Sequence, residues 1–134
     1  MSKKPFVSKE KLDEIAAQYA TPFYLYDEAA IRETARRVNK AFAWNQGFKE
    51  YFAVKATPNP AILKLLHEEG CGADCSSYTE LQMADAVGFK GDEIMFSSNA
   101  TPAEDFQLAR QLNVTINLDD ITHIDFLEKV ADIP

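Results

Sequence analysis

Short apolar runs alternate with helix-forming segments from residue 50 to residue 130, and this alternation restricts the possible folds more than any other feature. The apolar runs predict four strands, at residues 50–54, 72–75, 93–96 and 114–118. Amphipathic helices are predicted after them, at residues 60–69, 78–87, 102–111 and 121–130. The strand ends recur at roughly 20-residue intervals, which is typical of right-handed βαβ units in a parallel sheet. The sequence therefore predicts an α/β fold.

Two architectures have this pattern. One is an open, doubly wound sheet, and the other is a (β/α)8 TIM-type barrel, which needs about 250 residues to close. About four βα units fit into the 134 residues, so the second alternative amounts to a partial barrel. Residues 131–134 follow a helix as though a fifth strand should come next, so we expect the chain to be a fragment.

The first 44 residues precede this repeating pattern. Residues 9–20 predict a helix that begins after Ser8 as its N-cap, and residues 23–26, aromatic and apolar throughout, predict a buried strand. A second helix is predicted from residue 28 to about residue 44, with Asp27 as its N-cap.

The composition excludes several classes of function. A net charge of −7 with dispersed basic residues argues against nucleic acid and anionic membranes as partners. No apolar run is long enough for a membrane helix or a signal peptide, so we expect a cytoplasmic protein. Cys71 and Cys75 form neither a disulfide framework nor a zinc site, and no metal is expected; both thiols are predicted to be buried.

Small and polar residues follow each predicted strand, where ligands bind in either architecture. Lys55 stands out because it comes directly after an apolar strand, where partial desolvation would favour the neutral amine. A neutral amine forms a Schiff base with an aldehyde or ketone. The alternative is an ordinary strand-end lysine that keeps its charge in water.

Five segments, in the same order along the chain, resemble one family of enzymes. Tyr-Phe-Ala-Val-Lys-Ala at residues 51–56 resembles the Y-A-V-K-A/C-N segment of the fold-type III, alanine-racemase-like pyridoxal-phosphate enzymes. Residues 21–27, TPFYLYD, resemble the opening of diaminopimelate decarboxylases. Residues 72–81, GADCSSYTEL, resemble a segment shared with ornithine decarboxylases, and residues 98–101 and 117–120 resemble the later G-N-x-K and N-x-D-S segments.

This resemblance implies a role for each candidate site residue. Lys55 would hold pyridoxal 5'-phosphate through a Schiff base, and Asp74 would pair with Lys55 and set its charge, so both are predicted catalytic and cofactor-binding residues. Asn99 and Asn117 are candidates for the pocket rim, although asparagine at such junctions also serves in turns. Asp74 could likewise be an N-cap, for which Ser76 and Ser77 are better candidates.

The resemblance also implies a domain organisation. Residues 1–27 would contribute a helix and a strand to the second, β domain of the full-length protein, and residues 28–134 would form the first half of the cofactor-binding barrel. Relatives of full length are homodimers with shared sites. The phosphate-binding and substrate-contacting residues of the family come later in the barrel, so we expect the 134-residue chain alone to be inactive.

The predicted reaction is decarboxylation of a small amino acid, with meso-diaminopimelate as the leading substrate and lysine as product. Alternatives are an ornithine, arginine or carboxynorspermidine decarboxylase, a catalytically silent binding homologue, and an unrelated open α/β domain. Two loops depart from the family pattern: Thr57 stands where asparagine is common, and residues 100–101, Ala-Thr, replace a lysine-containing form. His67 and His123 are predicted to be surface residues.

Overall fold

The computed structural model describes residues 4–133 and shows strands alternating with helices from residue 51 onwards. The α-helices of this described part are α1 (Lys9–Gln18), α2 (Glu28–Ala41), α3 (Pro60–Glu68), α4 (Tyr78–Val87), α5 (Ala103–Gln111) and α6 (Thr122–Ala131). The strands are β1 (Tyr51–Ala53), β2 (Gly72–Cys75), β3 (Ile94–Ser97) and β4 (Thr115–Asn117). Two 3-10 turns, Val54–Ala56 and Gly91–Glu93, follow β1 and precede β3. The predicted order of strands and helices from residue 50 onwards is confirmed.

The four strands form one parallel sheet in the order β1-β2-β3-β4. Helices α3 to α6 all pack on the same face of it, because one core cluster unites residues from every strand and all four of these helices. The core members from the helices are Leu63, Leu81, Ala84, Phe106, Ala109 and Leu127. A doubly wound sheet would carry helices on both faces. The structure therefore corresponds to part of a (β/α)8 barrel.

Side chains alternate between the two faces of the sheet. Ala73 and Cys75 of β2 are buried in the helix-covered core, so Asp74 between them faces the other side. The register places Ala53, Asp74, Met95 and Thr115 in one row across the four strands. This second face, which is the inner face of a barrel, carries no helix in the described part of the chain.

Short polar side chains fix where several helices begin. Ser8, Asp27, Asn59 and Ser77 each accept a hydrogen bond from a backbone N–H in the first turn of the following helix. The predictions for Ser8 and Asp27 are confirmed, and Ser77 rather than Asp74 caps α4.

Helix α2 packs beside α3 at the edge of the sheet nearest β1. A second core cluster consists of Ala35, Ile62, Leu66 and Cys71, with Phe52 of β1 packed against it. Ion pairs also join the two helices: Arg32 contacts Glu68 and Glu69, and Arg36 contacts Glu69. These ion pairs predict that the stability of the fold depends on pH.

The N-terminal residues depart from prediction. Residues 23–26 form no strand pairing with the rest of the described chain, and Tyr24 is 89% exposed rather than buried. An isolated strand is not stable in water, and an apolar run cannot indicate which neighbour it will pair with. Helix α1 buries none of its residues. Helix α2 ends at Ala41, three residues before the predicted end near Trp44.

Both cysteines are free and buried, as predicted, with Cys71 4% and Cys75 0% exposed. Within residues 4–133, no cluster of three or more His, Cys, Asp or Glu side chains is arranged to hold a metal ion. In the same residues, no helix combines the length and apolar character needed to span a membrane.

Candidate active site

The candidate site lies at the carboxyl ends of the neighbouring strands β1 and β2. Lys55 follows β1, and Asp74 is the second-last residue of β2. Ala53 is the register partner of Asp74, and Lys55 comes two residues after Ala53. The two predicted catalytic residues are therefore carried by adjacent elements at the same edge of the sheet. This is the edge at which barrel proteins bind their ligands.

Lys55 lies in the 3-10 turn Val54–Ala56 rather than in the strand itself. Thr57 N–H donates to the Val54 carbonyl at 3.1 Å and closes this turn. The Lys55 side chain is exposed, so the expected partial desolvation is not observed. The reason is the position of β1, which has β2 as its only neighbouring strand in the described part of the chain.

Asp74 is the more constrained of the two residues. Its Oδ1 atom is inaccessible to solvent and has no hydrogen-bond partner among the described residues. The predicted bond to Lys55 is therefore not made through this atom. A buried carboxylate oxygen without a donor is costly, so this atom fits an ammonium or N–H group supplied from the inner face of the sheet.

The two rim candidates occupy different places. Asn117 pairs in register with Ser97 at the end of β4 and, by strand alternation, shares the inner face with Asp74, where it is exposed. Asn99 lies in the loop after β3, and its side-chain amide donates to the Asp119 carboxylate. The structure thus places Asn117 on the face that carries Asp74, whereas Asn99 links the loops after β3 and β4.

Glu80 is a residue of this region that was not among the predicted site residues. Its Oε2 accepts the Ser76 N–H at 2.6 Å, and its own backbone N–H donates to Ser77 Oγ at 3.4 Å. The S-x-x-E spacing at residues 77–80 is that of a capping box, although the Glu80 side chain here accepts the N–H of Ser76 rather than that of the N-cap, Ser77. The signal was therefore present in the sequence, and Glu80 holds the turn that follows Asp74.

Asp105, in the first turn of α5, is a second residue that the sequence did not reveal. It is 7% exposed, and its Oδ2 accepts the backbone N–H of Tyr78 at 3.1 Å. Burial raises the pKa of this carboxyl group, an effect that the Tyr78 N–H opposes. The contact joins residues 27 positions apart, so no local pattern predicts it.

The loops that depart from the family pattern have internal hydrogen bonds of their own. Asn59 accepts the Ala61 N–H at 2.9 Å and acts as the N-cap of α3. Thr57 donates to the neighbouring Ala56 carbonyl. Thr101 is buried and donates to the Ser98 carbonyl at 3.2 Å.

Neither histidine is a plain surface residue, contrary to prediction. His67 packs against Phe89 with ring centroids 4.3 Å apart and the rings tilted by 37°, and its Nε2 lies 3.4 Å from a Glu93 oxygen. The Nδ1 atom of His123 is buried and lies 3.3 Å from an Asp119 oxygen, although the alignment is not that of a hydrogen bond. The amphipathic pattern of a helix does not indicate what a partly exposed ring contacts at its edge.

A parallel half-barrel, with a lysine after its first strand and a partly buried carboxylate near the end of its second, defines a class of α/β-barrel proteins with a site at the carboxyl edge. Residues 28–133 match the family model described as "Pyridoxal-dependent decarboxylase, pyridoxal binding domain". The chain therefore belongs to the pyridoxal-dependent decarboxylase family. This assignment confirms pyridoxal phosphate as the predicted cofactor.

Curated relatives agree with this family. Protein TabA of Pseudomonas amygdali pv. tabaci is 48% identical over 92% of this chain and 28% of its own length. The diaminopimelate decarboxylase of Methanothermobacter thermautotrophicus is 36% identical over 88% of this chain and 28% of its own length. The chain thus spans less than a third of the length of either relative.

Solved structures agree with the fold. The diaminopimelate decarboxylase from M. jannaschi superposes with a TM-score of 0.82 and 30% identity, over 87% of this chain and 28% of that chain. The ornithine decarboxylase from Entamoeba histolytica superposes with a TM-score of 0.79 and 28% identity, over 92% of this chain and 39% of that one. The half-barrel therefore corresponds to the N-terminal part of the decarboxylase fold.

Proposed function

We propose that this chain is the N-terminal portion of a pyridoxal-phosphate-dependent amino-acid decarboxylase and supplies the lysine that binds the cofactor. The observation that carries the proposal is the pairing of Ala53 with Asp74, which sets a buried, unpartnered carboxylate oxygen beside the turn that contains Lys55. A barrel of the relatives' length would place further strands along the free edge of β1 and close over this position.

Lys55 and Asp74 have distinct roles in this proposal. When bound, pyridoxal phosphate supplies an electron sink for the electron pair left by a departing carboxylate. Lys55 Nζ would hold the cofactor at its aldehyde carbon with loss of water, and once displaced by the amino group of the substrate it would be free to hold or move a proton. Asp74 accepts a hydrogen bond from Nζ or from another positive group at the site and thereby sets its charge. Asn99 and Asn117 are proposed at the pocket rim.

The proposed substrate is meso-diaminopimelate, which gives lysine and CO2. Two observations support this choice: the TPFYLYD opening at residues 21–27, and the relatives of 30% identity or more that are named diaminopimelate decarboxylases. Ornithine is the second candidate, because the likeness to the Entamoeba histolytica ornithine decarboxylase is nearly as high in TM-score as the likeness to the M. jannaschi enzyme. Arginine and carboxynorspermidine decarboxylases and a silent binding homologue are the remaining alternatives.

We also propose that residues 1–27 belong to a second domain and residues 28–134 to the barrel. The absence of buried residues from α1 and the start of the family match at residue 28 support this division. We further propose that the full-length protein is a cytoplasmic homodimer that acts on a small amino acid. We propose neither nucleic acid nor a membrane as its partner.

The test uses the full-length protein, incubated with pyridoxal phosphate and reduced with borohydride. Peptide mapping is expected to find the reduced adduct on Lys55, and Lys55→Ala is expected to abolish both the adduct and CO2 release. Lys64→Ala removes an exposed lysine of α3 and serves as the matched control. An adduct on another lysine would overturn the role of Lys55. CO2 release from ornithine but not from diaminopimelate would overturn the proposed substrate.

A further inference from the structure

Asp105 is a buried acidic residue to which the proposed reaction gives no part. It lies in the first turn of α5 and is 7% exposed. None of the ion pairs in residues 4–133 includes it. A carboxylate that is removed from water without a cationic partner lowers stability unless hydrogen bonds compensate it. A buried carboxylate at this position therefore needs a hydrogen bond that an apolar side chain could not make.

That contact is with the start of α4. Asp105 Oδ2 accepts the N–H of Tyr78, the first residue of α4, at 3.1 Å. The first N–H groups of a helix have no partner within the helix, so they need acceptors from elsewhere. Two neighbouring N–H groups already have local acceptors: Ser76 N–H donates to Glu80, and Glu80 N–H donates to Ser77. Asp105 is the acceptor that comes from a different helix.

The turn held in this way begins directly after Asp74 and Cys75, the last two residues of β2. Asp74 pairs in register with Ala53 of β1 and Met95 of β3, and this pairing holds it within the sheet. Beyond Cys75 the sheet pairing of β2 stops, and the side-chain acceptors at the start of α4 take over. The direction in which the chain leaves β2 is therefore fixed on one side by the sheet and on the other by Asp105.

We propose that Asp105 is a positioning residue that holds the turn after β2 and, through that turn, keeps the carboxylate of Asp74 in place. This inference rests on the proposed function, because Asp74 matters only if it acts at the cofactor. Asp105 itself contacts neither Asp74 nor Lys55 through any hydrogen bond in residues 4–133. Its effect is transmitted by the backbone of residues 75–78.

The test compares three substitutions of Asp105 in the full-length protein. Asp105→Leu and Asp105→Ala both remove the acceptor, one filling the space and the other leaving a cavity. Asp105→Asn keeps an oxygen that can accept the Tyr78 N–H but removes the charge. Glu104→Gln is the matched control, since Glu104 is an exposed acidic residue in the same turn of α5.

Two readouts are measured for each variant. One is hydrogen–deuterium exchange of the peptide that covers residues 74–80, which does not depend on activity. The other is the kcat and KM of CO2 release. For the Leu and Ala variants we expect faster exchange and a kcat about tenfold lower with KM nearly unchanged, as the loss of one hydrogen bond to a charged group implies. Asp105→Asn and Glu104→Gln are expected to behave like the wild type.

Wild-type exchange and kcat in the Leu or Ala variant would overturn the inference, as would an Asn variant that is as impaired as the Leu variant. The borohydride adduct on Lys55 of the wild-type protein separates the two proposals. If the wild type forms no adduct on Lys55, the proposed function fails. If it forms the adduct and the Asp105 variants match it in both readouts, only the role of Asp105 fails.

Discussion

The aromatic ring of Tyr51 on β1 lies over Gly72 of β2 and fills the space that a side chain at position 72 would need. A Cβ atom at residue 72 would lie 2.6 Å from Tyr51 Cδ1 and 2.7 Å from the Glu93 carbonyl oxygen. The Tyr51 hydroxyl also donates to the Asp92 carbonyl at 2.6 Å, which restrains the ring. The glycine of the GADC segment is therefore required by close approach rather than by backbone conformation.

Gly72→Ala is accordingly expected to destabilise the protein by about 1–3 kcal/mol, the usual cost of inserting a methyl group into a packed region. The free energy of unfolding is measured by urea titration. Gly47→Ala is the control, because the nearest atom to a Cβ at residue 47 is 3.7 Å away, on the Asn45 side chain. Equal stability of the two variants would show that Tyr51 moves aside freely.

The ion pairs of Glu69 predict that the free energy of unfolding depends on pH. Its carboxylate accepts hydrogen bonds from Arg36 and Arg32, and these lower its pKa from the ordinary value of 4.5. A pKa that is lower in the folded than in the unfolded state means that Glu69 stabilises the fold fully above pH 4.5. This contribution is lost as the pH falls through the lower, folded-state value.

Glu69→Gln is therefore expected to be less stable than the wild type at pH 7, and the difference is expected to close below pH 4.5. Urea unfolding at a series of pH values measures it. Glu33→Gln, at an exposed position of α2, is expected to leave the pH profile unchanged. A difference between Glu69→Gln and the wild type that stays constant down to low pH would contradict the assigned ion pairs.

Cys75 is predicted to be chemically inert in the folded protein. It is 0% exposed, and burial, together with the nearby Glu80 and Asp74, raises the pKa of its thiol to about 12. Because the thiolate is the reactive form, iodoacetamide at pH 8 is expected to label Cys75 at least about a hundredfold more slowly than it labels an exposed thiol. Ala86→Cys, at an exposed position of α4, supplies that reference thiol. If Cys75 were labelled as fast as the thiol introduced by Ala86→Cys, the burial of Cys75 would be contradicted.

The sequence was sufficient to predict the alternating strands and helices, because each βα unit has its own local pattern. Helix α4 and strand β2 have the predicted bounds, and each of the other three strands differs from its predicted bounds by one residue at each end. The choice between an open sheet and a barrel needed the structure. It depends on the strand order: right-handed crossovers place every helix on one side of the sheet when the order never reverses, as here. Hydrophobic pattern alone does not reveal the strand order.

The site was predictable only where one residue carries the signal. Lys55 and Asp74 are site residues predicted from their motifs and stay predictions, and Glu80 had a readable capping spacing. The hydrogen bond between Asp105 and Tyr78 joins two different helices, so no local sequence pattern predicts it. The exposure of Lys55 likewise depends on the edge position of β1, which follows from the assembled sheet.

Asp74 is expected to lower the stability of the fold while it contributes to the proposed reaction. A substitution at this position can therefore separate the two effects. Its buried Oδ1 has no donor among the described residues, so the carboxylate lowers the stability of the fold that carries it. Asp74→Asn removes the charge and keeps the shape. We expect the variant to be as stable as the wild type or more stable by about 1 kcal/mol, because the desolvation cost of the charged group disappears.

The same substitution is expected to lower the rate of CO2 release by the full-length protein by about a hundredfold or more, since a neutral amide cannot set the charge of a neighbouring amine. Urea unfolding and a decarboxylation assay on one preparation measure the two effects together. Asp125→Asn, at an exposed position of α6, is the control for charge alone. A loss of stability in Asp74→Asn would mean that the carboxylate already has a structural partner. An unchanged rate would remove Asp74 from the catalytic residues and leave Lys55 to act without it.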